Sequence, residues 1–171
     1  KGIYELIHAA KELLNEGYEF NLFLIGDGKE FKNLQELIFK HQENFKHSIK
    51  LMGWVKNSEL INFYKACDIF VLPSYIEGLP NAMVEAMLSC VVPIVSNVGS
   101  IPDYIVEGKN GLLVKPKSQK ILKKQIKKLL DDKKLIGKLS MNAFATAKNL
   151  FNQDKNLKEI DSLLIKMLSI D

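Results

Sequence analysis

The 171-residue sequence contains no arginine, so all 24 of its basic side chains are lysines. Specific nucleic-acid readout leans on the planar arginine fork, which matches base edges and phosphates bidentately. A net charge of +4 carried by lysine alone therefore argues against a nucleic-acid partner. Cysteine is scarce: Cys67 and Cys90 stand apart, with neither a Cys-x-x-Cys pair nor a histidine cluster to complete a metal site. Both read as reduced packing residues. His8, His41 and His47 show no spacing suited to catalysis. Long apolar runs are missing as well. The longest are strand-sized, too short to cross a bilayer, and no charged-then-apolar leader opens the chain. The expectation is a cytoplasmic protein.

Hydrophobic residues make up 47% of the chain and charged residues 26%, as in a folded globular domain. The length suits one domain, taken as residues 1–171. Apolar runs of strand length alternate with stretches of helical period, the pattern of parallel strands joined by helical crossovers. Strands are expected near Asn21–Ile25, Ile49–Met52, Ile69–Leu72, Pro93–Ser96 and Leu112–Val114. The helices expected between and after them are Ile3–Glu16, Glu30–His41, Ser58–Ala66, Pro80–Leu88, Ile101–Val106, Ser118–Asp131, Lys134–Leu150 and Lys155–Ser169. Doubly wound domains normally open on a central strand, whereas this chain opens on a helix. A first strand is therefore expected to be missing ahead of it.

The segment Asp68–Ser96 carries the chemistry. A buried strand runs into Pro73 and Ser74, a loop follows, and Pro80 suits a first helical position because its φ is fixed and it lacks a donor. Glu77 precedes that helix and Glu85 lies within it. Gly78 permits close backbone approach, and the free amides of Leu79, Asn81 and Ala82 belong to a helix N-terminus that attracts anions. A diphosphate is the natural ligand. Carboxylates do not bind phosphate, but they accept hydrogen bonds from paired hydroxyls. Glu77 is thus placed for a sugar. Glu85, about 7 to 8 Å further along at about 1.5 Å per residue, is placed for a ribose.

These residues resemble a known family. EGLPNAMVE, with two glutamates separated by seven residues, followed by Ala86-Met87 and Pro93-Ile94-Val95, resembles the signature of the retaining family 4 glycosyltransferases. Lys1-Gly2 resembles the end of that family's first strand-to-helix loop, LFLIGDG at Leu22–Gly28 its glycine turn, and IKLMGWV at Ile49–Val55 its nucleobase-holding loop. Gly99–Asp103 and NGLLV at Asn110–Val114 resemble its closing motifs. The resemblance implies an α/β, Rossmann-like fold: a single domain with a parallel sheet and helices on both faces, forming the C-terminal half of a two-domain GT-B enzyme. It further implies transfer of a hexose or N-acetylhexosamine from a UDP- or GDP-sugar, with retention, without metal or cofactor. The acceptor, a glycan or a lipid-linked sugar, would sit on an N-terminal domain this chain lacks. Glu77 would orient the transferred sugar. Lys1, Gly28, Trp54, Val55, Gly78, Leu79, Pro80, Asn81 and Glu85 would bind the donor. Cys90 stands where that family usually has glycine, and Ser100 and Asp103 also depart from its pattern.

Several positions read two ways. Gly26-Asp27-Gly28 reads also as a tight turn after a strand, and Trp54 as a lid over the core. The lysine-dense Lys115–Lys138 stretch reads as a solvated face over Leu122, Ile126, Leu129 and Leu130, or as a peripheral contact with the membrane's inner surface. A nucleotide-sugar epimerase of the same fold would need acid and base residues at the sugar, and the sequence offers no obvious histidine for them. A scaffold domain would leave both glutamates unoccupied. A dinucleotide oxidoreductase would need fingerprint glycines that are absent.

Overall fold

The computed structural model describes residues 1–39, 45 and 47–152. The expected helix Lys155–Ser169, and the end of the expected Glu30–His41 helix including His41, lie outside the described residues. Helices and strands alternate in chain order: α1 Ile3–Asn15, β1 Leu22–Ile25, α2 Phe31–Phe39, β2 Ile49–Gly53, α3 Asn57–Ala66, β3 Ile69–Leu72, α4 Asn81–Leu88, β4 Val92–Ser96, α5 Ile101–Tyr104, β5 Leu112–Val114, α6 Gln119–Asp131 and α7 Lys133–Leu150. The strands were readable because their apolar runs are short and bounded by glycine, proline and polar residues.

Every strand pairing is parallel, with β1 beside β2 and the order β3–β4–β5 in a second piece. Alternation along the strands sorts their side chains onto two faces. Val92 and Ile94 of β4 pack with Leu112, Val114, Leu13, Leu122 and Leu129, beneath α1 and α6. Val95, the next residue along β4, packs on the other side with Met83, Met87, Ile101 and Ala143, from α4, α5 and α7. Helices therefore cover both faces of the sheet, as a doubly wound parallel sheet requires.

Between β1 and β3 runs a groove of about 950 Å³, whose lining includes Leu6, Ala10, Leu22, Phe23, Ile69 and Val71. β3 is wholly apolar, yet all four of its residues are only half-buried.

Several helix boundaries shift by a residue or two from expectation, and two of the differences have clear local reasons. Pro80 is the N-cap of α4 with an extended backbone, φ −76° and ψ 117°, and not its first helical residue. α5 stops at Tyr104 and not Val106. There the Asn110 side chain accepts from the Val106 amide at 2.8 Å and donates to the Tyr104 carbonyl at 2.9 Å, offering the backbone a non-helical alternative. α4 ends in a Schellman turn: the Cys90 amide donates to Met87 O at 3.1 Å and the Val91 amide to Ala86 O at 3.0 Å. Cys90 takes the left-handed position, φ 60°.

The lysine-dense segment behaves as a solvated face. Leu122, Ile126 and Leu129 are buried, while Lys123 bridges Glu12 at 2.5 Å and Glu16 at 2.7 Å, and Lys127 reaches Glu16 at 3.0 Å. These pairs tie α6 to α1. None of the helices among the described residues is long and apolar enough to cross a membrane.

Candidate functional site

The first turn of α1 gathers the loops at the carboxyl ends of β1 and β3. Lys1 Nζ donates to Glu77 Oε1 at 2.6 Å. Tyr75 donates its hydroxyl to Glu5, and Tyr4 donates to Glu30 in the loop after β1. Both sheet pieces therefore end beside the same helix terminus, which places Lys1, the Gly28 turn and the Glu77–Gly78 loop on one edge of the domain. Trp54 and Val55 follow β2, which runs parallel to β1, on that edge as well. Trp54 is 66% exposed, so it does not cap the core and its ring faces solvent.

Glycines press the Pro73–Gly78 loop from both sides. Gly2 has φ 69°, and a Cβ there would stand 2.0 Å from Pro73 O. Gly99 has φ 55°, and a Cβ there would stand 2.0 Å from Glu77 O. Real Cβ atoms do not approach oxygen so closely, so only glycine lets these backbones meet in this conformation. Gly28 is different: a Cβ would meet nothing, and its carbonyl accepts from the Phe31 amide at 2.9 Å. Gly26 and Gly53, facing each other across a bridge, carry the positive φ of that region.

Glu77 has only 12% of its side chain exposed, against 72% for Lys1. Burial pushes its carboxyl up, but the hydrogen bond from Lys1, the neighbouring Ser74 hydroxyl and the charge of Lys1 together outweigh burial and hold it below the usual value. The Ser74 hydroxyl, fully buried at the end of β3, lies near this carboxylate but finds no partner at hydrogen-bonding geometry. Beyond Glu77, the amides of Leu79, Asn81 and Ala82 donate to no acceptor among the described residues, the first intrahelical acceptor being Pro80 O, used by Met83 at 3.0 Å. The end of α4 thus presents free donors and a partial positive charge next to a lysine.

Glu85 lies one turn into α4 with its side chain exposed. It makes no ion pair among the described residues, but accepts from the Tyr64 hydroxyl of α3 at 3.1 Å. Sequence reasoning missed Tyr64, as it missed the Tyr75–Glu5 contact, because both partners lie far apart in the chain. Among the described residues no three His, Cys, Asp or Glu side chains gather as metal ligands. The structure therefore brings Lys1, Glu77, Gly78 and the α4 amides into direct proximity, and holds Glu85 further along the same helix. Gly28, Trp54 and Val55 sit on the same edge without a hydrogen bond to either glutamate.

A Rossmann-like domain thus carries a lysine, a bare helix end and two glutamates on the carboxyl edge of its strands, donors suited to an anion beside acceptors suited to hydroxyls. Residues 1–146 match the family of glycosyl transferases group 1, and the chain belongs to that family. It is 30% identical over 165 residues to a capsular polysaccharide biosynthesis glycosyltransferase, CapM, of Staphylococcus aureus, covering 95% of this chain and 42% of that protein. It is also 30% identical over 145 residues to the UDP-Gal:alpha-D-GlcNAc-diphosphoundecaprenol alpha-1,3-galactosyltransferase of Escherichia coli, covering 85% of this chain and 36% of that protein. A solved C-terminal domain of a group 1 family glycosyl transferase, LpcC of Francisella tularensis, superposes with a TM-score of 0.79 at 29% identity, covering 88% of this chain and 80% of that one. The chain spans about two fifths of the length of the curated relatives it matches.

Proposed function

We propose that this chain is the donor-binding half of a retaining, metal-independent glycosyltransferase of the family 4 type. Its donor is a nucleoside-diphosphate hexose or N-acetylhexosamine, and its acceptor is a glycan or lipid-linked sugar. The observation that carries this reading is the Lys1–Glu77 pair beside the free amides of α4. With donor bound, Lys1 turns from Glu77 to the diphosphate, and the α4 amides take its other oxygens. Charge grows on the diphosphate as the glycosidic bond breaks, and fixed donors aimed at that charge stabilise the transition state. Glu77, released from Lys1, accepts hydrogen bonds from the sugar hydroxyls, and Glu85 accepts from the ribose. The α4 end, Gly78 and Pro80 shape the passage between them, while Trp54 and Val55 border the base.

Support for the acceptor class comes from the relatives' names, one in capsular polysaccharide synthesis and one acting on a diphosphoundecaprenol-linked sugar. The latter takes a UDP-sugar, which favours uridine over guanosine here. Because those relatives are more than twice as long, an acceptor-binding N-terminal half is proposed to complete the cleft. The chain alone should transfer no sugar, since positioning both reactants contributes much of the rate. The proposed setting is the cytoplasm at the inner membrane surface. There the exposed Lys120, Lys124 and Lys128, one helical face of α6, are available to anionic headgroups. Calorimetry with UDP, GDP and ADP, then with the sugar conjugates of whichever binds, tests the central reading. A chain that binds none of the three would refute it.

A further inference from the structure

Glu85 occupies an exposed position on α4, where a glutamate side chain ordinarily samples many rotamers, and ordering such a chain on binding costs affinity. Here one of its oxygens is held. The Tyr64 hydroxyl donates to Glu85 Oε2 at 3.1 Å, and the Tyr64 ring is itself held edge-on against Phe70 of β3 at 6.2 Å. Phe70 in turn packs on the Met83–Met87 side of α4. The chain of contact therefore runs from the sheet through two rings to the carboxylate, so that the strand and the helix jointly set where Glu85 points.

We propose that Tyr64 is a positioning residue that holds Glu85 in the orientation that receives the two adjacent hydroxyls of a nucleotide's ribose. An ionised carboxylate offers about four acceptor sites. One is filled by Tyr64, which leaves both oxygens able to accept one hydroxyl each. Two neighbouring hydroxyls match that pair, whereas a deoxyribose presents only one to the same carboxylate. The device discriminates in favour of ribonucleotides because the pinned carboxylate cannot reorient to serve a lone hydroxyl. Burial, followed by the negative charge of Glu85 and the hydrogen bond to it, pushes the Tyr64 hydroxyl well above its ordinary value. It remains protonated, and so remains a donor, throughout the neutral range.

This inference rests on the proposed donor site, and the experiment separates the two. UDP and GDP, and the 2′,3′-dideoxy form of whichever binds, are titrated calorimetrically into the wild-type chain, Tyr64→Phe, Glu85→Ala and the double variant. Tyr64→Phe keeps the ring on Phe70 and removes only the hydroxyl, so folding is not at stake, and a thermal melt checks it. The expected result is roughly two- to tenfold weaker binding of the ribonucleotide by Tyr64→Phe, the scale of one freed side chain. No effect is expected on the dideoxy form, and none in the Glu85→Ala background. Equal weakening of both ligands, or a loss that persists without Glu85, would overturn the positioning role and leave the donor site standing. Wild-type chain that binds neither UDP nor GDP would instead refute the donor site, and this inference with it.

Discussion

A Cβ atom on Gly99 would lie 2.0 Å from the carbonyl oxygen of Glu77. The loop after β4 is thereby in backbone contact with the loop after β3, and the acidic residue proposed for the sugar is set from behind by a residue that carries no chemistry. Gly99→Ala should displace Glu77 or strain the left-handed φ of 55°. The backbone conformation alone costs about 1 to 2 kcal/mol for a residue with a Cβ, and relief of the clash adds to it. The expected outcome is a lowered urea midpoint together with loss of the sugar-dependent part of donor binding. An alanine variant matching wild type in both would show that the loops separate freely.

Glu77 and Glu85 should divide the donor between them. Glu85→Ala is expected to weaken binding of the nucleoside diphosphate itself. Glu77→Ala is expected mainly to remove the extra affinity contributed by the attached sugar. Each loses charged hydrogen bonds of about 1.5 to 3 kcal/mol. Titrations with a nucleoside diphosphate and with its sugar conjugate measure both quantities, and equal losses with and without sugar for the two variants would contradict the division.

Acid should weaken the Lys1–Glu77 tie in a defined direction. The folded carboxyl of Glu77 lies below its usual value, so its contribution to stability is present above the unfolded value, about 4.3. That contribution is lost as the pH falls through the lower, folded value. Since Lys1 is 72% exposed, solvent screening keeps the pair's worth under about 1 kcal/mol. Urea unfolding of wild type and Glu77→Gln should show a small gap at neutral pH that closes below about pH 4. Glu16 and Glu30 are also held low, by hydrogen bonds from Lys123 and Tyr4 respectively. They add acid sensitivity to both proteins alike and cancel in the difference. A gap that widened on acidification would mean the sign is wrong.

The parts of this molecule legible in its sequence are those set by neighbours along the chain. β4 shows it: Val92 and Ile94 face one core and Val95 the other, a division contained in strand periodicity. The lysines of α6 lie over a buried Leu122, Ile126 and Leu129 stripe for the same reason. Long-range chemistry was less visible. Tyr64 and Glu85 lie 21 positions apart, on helices brought together only by the course of β3, which separates them in sequence, so no local pattern marks them as a pair. Pro80 was misplaced by one position because proline serves both N-cap and first-turn geometry, and ψ, which decides between them, is not fixed by the ring. α5 ended early because Asn110, six positions beyond Tyr104, claims its carbonyl. The family pattern nonetheless singled out both Glu77 and Lys1, and the fold has them meet across 76 positions.

Cys90 offers the most direct test of a departure from the family pattern. It closes the Schellman turn of α4 at φ 60°, a conformation in which any residue with a Cβ is crowded against its own carbonyl, and which glycine adopts without penalty. Its amide hydrogen bond to Met87 O is made by the backbone, so a change of side chain leaves that bond intact. The side chain is exposed, and removing it vacates no core. Cys90→Gly should therefore stabilise the domain by about 1 kcal/mol, the left-handed strain relieved less the extra freedom that glycine gives the unfolded chain. Equilibrium urea unfolding reads this as a higher midpoint at unchanged slope, with donor binding unaffected because Cys90 lies at the far end of α4 from the free amides. A lower midpoint would mean that the thiol makes stabilising contacts exceeding the strain, and that cysteine at this position is selected and not merely tolerated.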